Sequence, residues 1–266
     1  MSALAGEAPQ RVVSANLCSD QLLMSLADRE QIASLSPLAR DASISYLADR
    51  AHQFVSNRAS GEDLLRADAD LVLIGQYDNR YTRSILEMRH IQTLTLEPWS
   101  TLTAGRAQIA SVAEALGHAD RGVALLAEID RSLARLPRIE GDRRPSFLTL
   151  HRRGFVYHAG LANEVLAAAG MRDAAPDFGL GAYGFVTLEA LVQKRPDFLV
   201  IGDEVGEPED NGQAFLVHPT LLQLWPPEKR IFLAGRLTIC GGPSTPALIE
   251  ALGAELLAKV PGAVRR

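Results

Sequence analysis

Glu62-Asp-Leu-Leu-Arg-Ala-Asp-Ala-Asp70-Leu-Val-Leu-Ile-Gly75 is echoed in the second half of the chain by Glu189-Ala-Leu-Val-Gln-Lys-Arg-Pro-Asp197-Phe-Leu-Val-Ile-Gly202. In both stretches a glutamate opens a short amphipathic helix, an aspartate eight residues on closes its exit loop, and a four-residue apolar run ends at glycine. Each copy predicts helix, turn and buried strand, because a short continuous apolar run bounded by turn residues fits a strand covered on both faces. The copies are too far apart for a solenoid, whose units recur every ~20–50 residues. They predict two similar lobes, and two lobes make a cleft.

Working outward, Arg11-Val-Val-Ser14 reads as a strand, and the polar turn Asn16 to Asp20 as the cap of a helix over Gln21 to Ala27. Ile32 to Leu35 and Ile91 to Leu96 read as further strands, and Thr103 to Leu116 as a helix ended by Gly117. The second half repeats the outline: strand at Phe147 to Leu150, helix at Ala162 to Ala169, strand at Arg230 to Ala234, and a closing helix over Pro246 to Lys259. Between the halves, Val123, Leu126, Ile129, Leu133 and Leu136 recur at helical spacing. The expectation is an α/β fold of two similar lobes with mostly parallel sheets, 1–118 and 138–266, joined by one long interlobe helix at 119–137.

Composition narrows the function. A net charge of −5 leaves no basic stripe for a nucleic-acid backbone. The apolar runs are far shorter than the ~20 residues a bilayer crossing needs. Cys18 and Cys240 are too few for a disulfide framework or a zinc site. They are read as free small hydrophobes, with a single bridge between them left open. Ala3-Leu4-Ala5 has the A-x-A form that precedes a signal-peptidase cut, and is read as the stump of an export signal that has been removed.

The ordered pair of Glu/Asp motifs around a long helix, with a strand leading into a polar helix-opening turn, resembles the periplasmic binding proteins that deliver vitamin B12 and ferric siderophores to ABC importers. The resemblance spans Arg11 to Leu257. It implies a periplasmic, monomeric, non-catalytic carrier without a cofactor, which captures a metal chelate or corrinoid between its lobes and docks on an inner-membrane permease. By position it makes Glu62 and Glu189 the docking acids, which in that family enter arginine pockets of the permease. Two carboxylates held at fixed separation on a rigid body supply steering and register on a cationic partner. A single first-turn glutamate is also what a helix dipole favours on its own; the matched pair is what favours docking. A helix across the hinge further implies small relative motion of the lobes.

In α/β lobes ligands meet the loops at the carboxyl ends of strands. This nominates Asn16, Cys18, Ser19, Tyr46, Asn57, Arg58 and Tyr77 in the first lobe. In the second it nominates Arg152, Arg153, Phe155, Tyr157, Tyr183, Asp203, Glu204 and Arg236. The aromatics suit a broad, partly apolar ligand, and the arginines an anionic chelate.

Two other readings compete. Gly179-Leu-Gly181-Ala-Tyr-Gly184 spells the dinucleotide fingerprint, which would suit an NAD(P)-binding enzyme, but Asp173 to Phe178 is a poor strand to precede it. A protein that binds zinc or manganese directly would need His and carboxylates at ligand spacing, and the six histidines lie in unrelated contexts. No nucleophile elbow, H-E-x-x-H or P-loop is present.

Overall fold

The structure is a computed structural model describing residues 8–141, 144–202, 208 and 210–265. The A-x-A segment and the Asp203-Glu204 pair lie outside the described residues. The chain forms two compact units, Met1–Ile129 with Ile239–Ser244, and Asp130–Thr238 with Thr245–Arg266.

The first unit contains β1 (Val12–Ser14), α1 (Leu17–Leu26), β2 (Ile32–Ser34), α2 (Ala48–Ala51), α3 (Gly61–Arg66), β3 (Leu71–Gly75), α4 (Arg80–Met88), β4 (Gln92–Leu96) and α5 (Leu102–Ala115). Its sheet has the order β2-β1-β3-β4 and is parallel throughout. Helix α6 (Ala119–Ala134) starts in this unit and ends in the next, the division falling inside the helix at Ile129 and Asp130.

The second unit continues with β5 (Arg138–Ile139), β6 (Ser146–Leu150), β7 (Phe155–Tyr157), α7 (Leu161–Ala168), β8 (Arg172–Asp173), β9 (Tyr183–Phe185), α8 (Leu188–Lys194) and β10 (Phe198–Ile201). It closes with α9 (Asn211–Leu216), α10 (Pro219–Leu224), β11 (Arg230–Phe232), α11 (Gly235–Thr238), α12 (Thr245–Lys259) and β12 (Ala263–Val264). Its main sheet runs β11-β10-β6-β7-β9 with β8 also on β6. β8, β6, β10 and β11 are parallel, whereas β7 and β9 add an antiparallel ribbon at one edge. Among the described residues the ribbon has no counterpart in the first unit, which breaks the expected match between the halves.

The duplicated motif builds the same device twice. Ser60 and Thr187, each two residues before the glutamate, cap α3 and α8 by accepting the backbone N–H of Asp63 at 3.3 Å and of Ala190 at 3.2 Å. Leu64 and Leu191, each two residues after it, are fully buried and anchor each helix on its own core. The aspartates then clamp the neighbouring strand. Asp70 accepts the N–H of Arg11 at 3.1 Å, one residue before Val12 pairs with Leu71. Asp197 accepts the N–H of Ser146 at 2.8 Å, one residue before Phe147 pairs with Phe198. The two clamps occupy the same register position, which explains why the aspartate and the following apolar run recur together.

The cysteines correct the sequence expectation. Cys18 and Cys240 form a disulfide, closing a sequence separation of 222 residues. Cys240 belongs to Ile239–Ser244, the segment that joins the first unit although both of its flanks belong to the second. The Trp99 indole lies against two glycines here: a Cβ at Gly105 would come within 2.2 Å of the ring and one at Gly241 within 2.1 Å. Leu22 packs on Gly242 in the same manner. Sequence spacing gives no sign of this return, because the segment has neither periodicity nor a turn signature beyond its glycines.

Replacing either aspartate with alanine leaves a strand-opening N–H without its carboxylate. Asp70→Ala and Asp197→Ala are each expected to cost ~1.5–3 kcal/mol, read as a lower urea midpoint. Midpoints equal to the parent's would show that the clamp does not hold the strands.

Candidate ligand and docking sites

In the first unit, the β1–α1 turn is organised by Asn16. Its side-chain oxygen accepts the N–H groups of Cys18 and Ser19, both at 3.1 Å, capping α1, while its Nδ2 donates to Asp78 at 3.0 Å. Asp78 also accepts the Gly75 N–H at 2.7 Å, so the carboxyl ends of β1 and β3 are tied into one polar rim. Three nominated residues are consumed in this construction. Ser19 is buried, its hydroxyl bonded to Ser14 and to the Asn16 carbonyl. Asn57 is buried and donates to the Ser14 carbonyl and Ser34 hydroxyl, joining β1 to β2. Cys18 is in the disulfide. These three side chains are engaged in holding the rim.

What the rim does present is tyrosine. Tyr77, on the loop after β3, is 79% exposed, and Tyr81 in the first turn of α4 is 71% exposed. Tyr46 and Arg58 are exposed nearby in sequence. Tyr81 escaped the sequence reading, although Asn79-Arg80-Tyr81 carries the signal: Asn79 accepts the Tyr81 N–H at 2.8 Å as an N-cap, which keeps the next side chains on the helix's first turn.

In the second unit, β6 ends at Leu150 and the chain turns through His151-Arg152-Arg153-Gly154 into β7. Arg153 takes the left-handed conformation with φ 59°, and Gly154 follows at φ 75°, where a Cβ would fall 2.3 Å from the Val186 carbonyl. Only glycine fits there. Arg152 is not a free anion clamp: it is ion-paired with Asp210, which also caps α9 by accepting the N–H groups of Gly212 and Gln213. The hydrogen bond from Gln213, first, holds the Asp210 carboxyl below the usual range, with the charge of Arg152 adding to it.

The antiparallel ribbon supplies the aromatic surface. Register places Phe155 opposite Phe185 and Tyr157 opposite Tyr183, so all four share one face. The Phe155 ring lies 5.3 Å from that of Phe185, 6.4 Å from that of Tyr183 and 6.1 Å from that of His151. Tyr183 and Phe185 are both 68% exposed. Phe185 was missed because the segment's glycines read as a loop; the alternation Tyr183-Gly-Phe185 is the strand signal they obscured. Arg236, exposed in α11, follows the carboxyl end of β11.

The glycine run has the wrong context for a dinucleotide. A 3-10 turn, Ala175–Phe178, precedes Gly179, and strand β9 rather than a helix follows. No helix N-terminus awaits a pyrophosphate there. Among the described residues no group of three or more His, Cys, Asp and Glu side chains gathers as a metal site, and no helix is long and apolar enough to cross a membrane.

Glu62 and Glu189 are both exposed in the first turns of α3 and α8. Glu62 makes only a 4.0 Å contact with Arg66, itself largely exposed. Glu189 has its carboxyl held below the usual range by its own backbone N–H and then by Thr187. The N-cap hydroxyls and core anchors are other residues of each motif, while the Glu189 carboxyl also bonds its own first-turn N–H and Thr187.

A family model described as "Periplasmic binding protein" matches residues 12–224. Compared by sequence with curated proteins, the chain matches none. Among solved structures it is similar to the periplasmic heme-binding protein RhuT of Roseiflexus sp. RS-1 in apo form, at TM-score 0.72 and 22% identity, covering 92% of this chain and 97% of that one. A periplasmic heme-binding protein from Pseudomonas aeruginosa matches at TM-score 0.70 and 20% identity, covering 97% and 95%. An ABC-type Fe3+-hydroxamate transport system structure from Saccharomonospora viridis DSM 43017 matches at TM-score 0.68 and 18% identity, covering 94% and 93%.

Beneath the β1–α1 turn lies a titratable carboxyl. Asp20 is buried and accepts the Ser36 N–H at 2.9 Å and the Ser36 hydroxyl at 2.5 Å. Burial is the larger effect and pushes its pKa up to about 6, against the lowering influence of Ser14 and Ser36. A folded pKa above the unfolded value contributes stability that is full below pH ~4 and is lost as pH rises through about 6. The contribution is of order ~3 kcal/mol. Urea midpoints at pH 4 and pH 7 should therefore show a parent that gains stability at acid pH relative to Asp20→Asn. Parallel shifts in both proteins would contradict the assignment.

Proposed function

The chain belongs to the periplasmic binding protein family, and from that premise we infer that it captures an iron chelate, haem in preference to a siderophore or corrinoid, and hands it to an ABC importer. The observation that carries the cargo class is the exposed aromatic surface in each unit, Tyr77 and Tyr81 in one, Tyr183 and Phe185 beside the half-buried Phe155 in the other. Exposed apolar rings grouped at strand ends mark a binding surface rather than a solvated one. A flat macrocycle offers them two broad faces. Its anionic edge suits the exposed Arg58, Arg153 and Arg236. Relatives named for heme binding support this choice. The relative named for Fe3+-hydroxamate transport keeps a ferric hydroxamate as the second reading. Tyr46 and Tyr157 complete the proposed contact set.

The disulfide supports residence in an oxidising compartment such as the periplasm. Delivery is assigned to Glu62 and Glu189. Each is presented, exposed, in the first turn of its helix, where an acidic side chain can meet a cationic permease surface.

The cargo is tested by titrating the purified protein with hemin, a ferric hydroxamate, a ferric catecholate and cyanocobalamin. Hemin is expected to bind with a shifted visible spectrum, and Tyr77→Ala and Tyr183→Ala to weaken it roughly tenfold each, about 1.4 kcal/mol. Saturable binding of cyanocobalamin or the hydroxamate alone would replace haem as cargo. Docking is tested separately, in vesicles carrying the cognate permease. Combined Glu62→Ala and Glu189→Ala should leave hemin affinity unchanged and abolish uptake; undiminished uptake would remove the role.

A further inference from the structure

Arg83 is the fourth residue of α4 and is half-buried. The start of a helix is a poor place for a cation, because the macrodipole puts partial positive charge there, and the first turn of α4 holds no acid to offset it. The guanidinium is engaged instead by the loop before the helix. Nη2 donates to the Gly75 carbonyl at 3.0 Å and to the Gln76 carbonyl at 3.4 Å. Gly75 is the last residue of β3 and Gln76 the one that follows it.

The same two residues are gripped from other sides. Gly75 donates its N–H to the Asp78 carboxylate at 2.7 Å, and Asp78 takes a second bond from Asn16 at 3.0 Å. Gln76 donates its N–H to the Leu96 carbonyl at the end of β4, at 2.9 Å. The Asp78 N–H returns to the Gly75 carbonyl at 3.1 Å, closing the four-residue turn Gly75-Gln76-Tyr77-Asp78. A Cβ on Gly75 would fall 2.8 Å from Nδ2 of Asn16 and 3.0 Å from Asp78, so the close grip depends on glycine there. The N–H and the carbonyl of both Gly75 and Gln76 are thus engaged, and Tyr77 is the next residue of the turn. Tyr77 is 79% exposed, so its place is set by the backbone that carries it rather than by packing of its ring. Asp78 also holds the α1 cap through Asn16, whereas among the described residues the Arg83 guanidinium bonds only this turn.

We propose that Arg83 is a positioning residue for the cargo: it fixes the Gly75–Asp78 turn so that Tyr77 is presented in one place, and it raises cargo affinity without touching the cargo. The inference rests on the proposed role of Tyr77 as a contact, and it names the side chain that sets how much that contact contributes. A ring on a slack loop loses freedom when a ligand orders it, and a loop ordered beforehand avoids that cost. The charge on Arg83 strengthens its bonds to the two carbonyls over neutral ones.

The test is a double-mutant cycle on hemin binding by the full chain, with amide exchange of the hemin-free protein alongside. Arg83→Met keeps the stem without the donors and should weaken hemin about fivefold, and Arg83→Lys, which keeps a charged donor, should recover part of that loss. In a Tyr77→Ala background, Arg83→Met should weaken hemin no further. Without hemin, Arg83→Met should speed exchange at residues 76–78 and leave 147–150 unchanged. Equal weakening in both backgrounds would mean that Arg83 acts on the cargo directly or through the whole fold, and would overturn the proposal, as would unchanged exchange at 76–78. Weakening by Tyr77→Ala with none by Arg83→Met would overturn it and leave the cargo reading standing. Parental hemin affinity in Tyr77→Ala would remove that tyrosine from cargo contact and the proposal with it. Should Arg83→Met not fold, Arg83→Lys carries the same cycle, with a smaller loss that again vanishes without Tyr77.

Discussion

The fold depends on one carboxylate used twice. Asp70 and Asp197 each receive the N–H that immediately precedes the paired run of the adjacent parallel strand. Parallel strands have no hairpin turn to fix their register, so an anchor at the amino end sets which residues emerge at the carboxyl end. From that anchor follow the polar rim of Asn16, Gly75 and Asp78 in one unit and the turn from Leu150 into the aromatic ribbon in the other. A charged acceptor at a strand start is a strong local constraint, because hydrogen bonds to an ionised group exceed neutral ones.

This division of labour explains why so much of the scaffold was legible in the sequence and so little of the site. Leu64 and Leu191, the apolar runs and the capping hydroxyls act locally, and each leaves a periodic or positional trace. The contacts that decide the site are long-range. Asn57 reaches Ser14 and Ser34, Arg152 reaches Asp210, and Cys18 reaches Cys240. No spacing rule reports such partners, so polar residues that serve the scaffold were indistinguishable from residues that face solvent. The ribbon was hidden for another reason: its three-residue strands, one of them centred on Gly184, are too short for alternation to outweigh the loop signal.

The same logic separates groups engaged in the scaffold from groups left exposed. Ser19, Asn57 and Arg152 have their polar atoms occupied by protein. Glu62, Glu189, Tyr77, Tyr81, Tyr183 and Phe185 are exposed. Exposed rings carry a cost in water that a binding surface recovers when occupied. The disulfide secures the Ile239–Ser244 segment to α1 beside Trp99, so the first unit's rim is supported by chain from far along the sequence.

The central proposal is that a flat iron chelate engages the exposed aromatic rings, and amide hydrogen exchange with and without hemin tests it most directly. The proposal predicts slowed exchange in residues 76–81, 151–157 and 183–185, with 245–259 unchanged. Unchanged exchange in these aromatic segments at saturating hemin would contradict it.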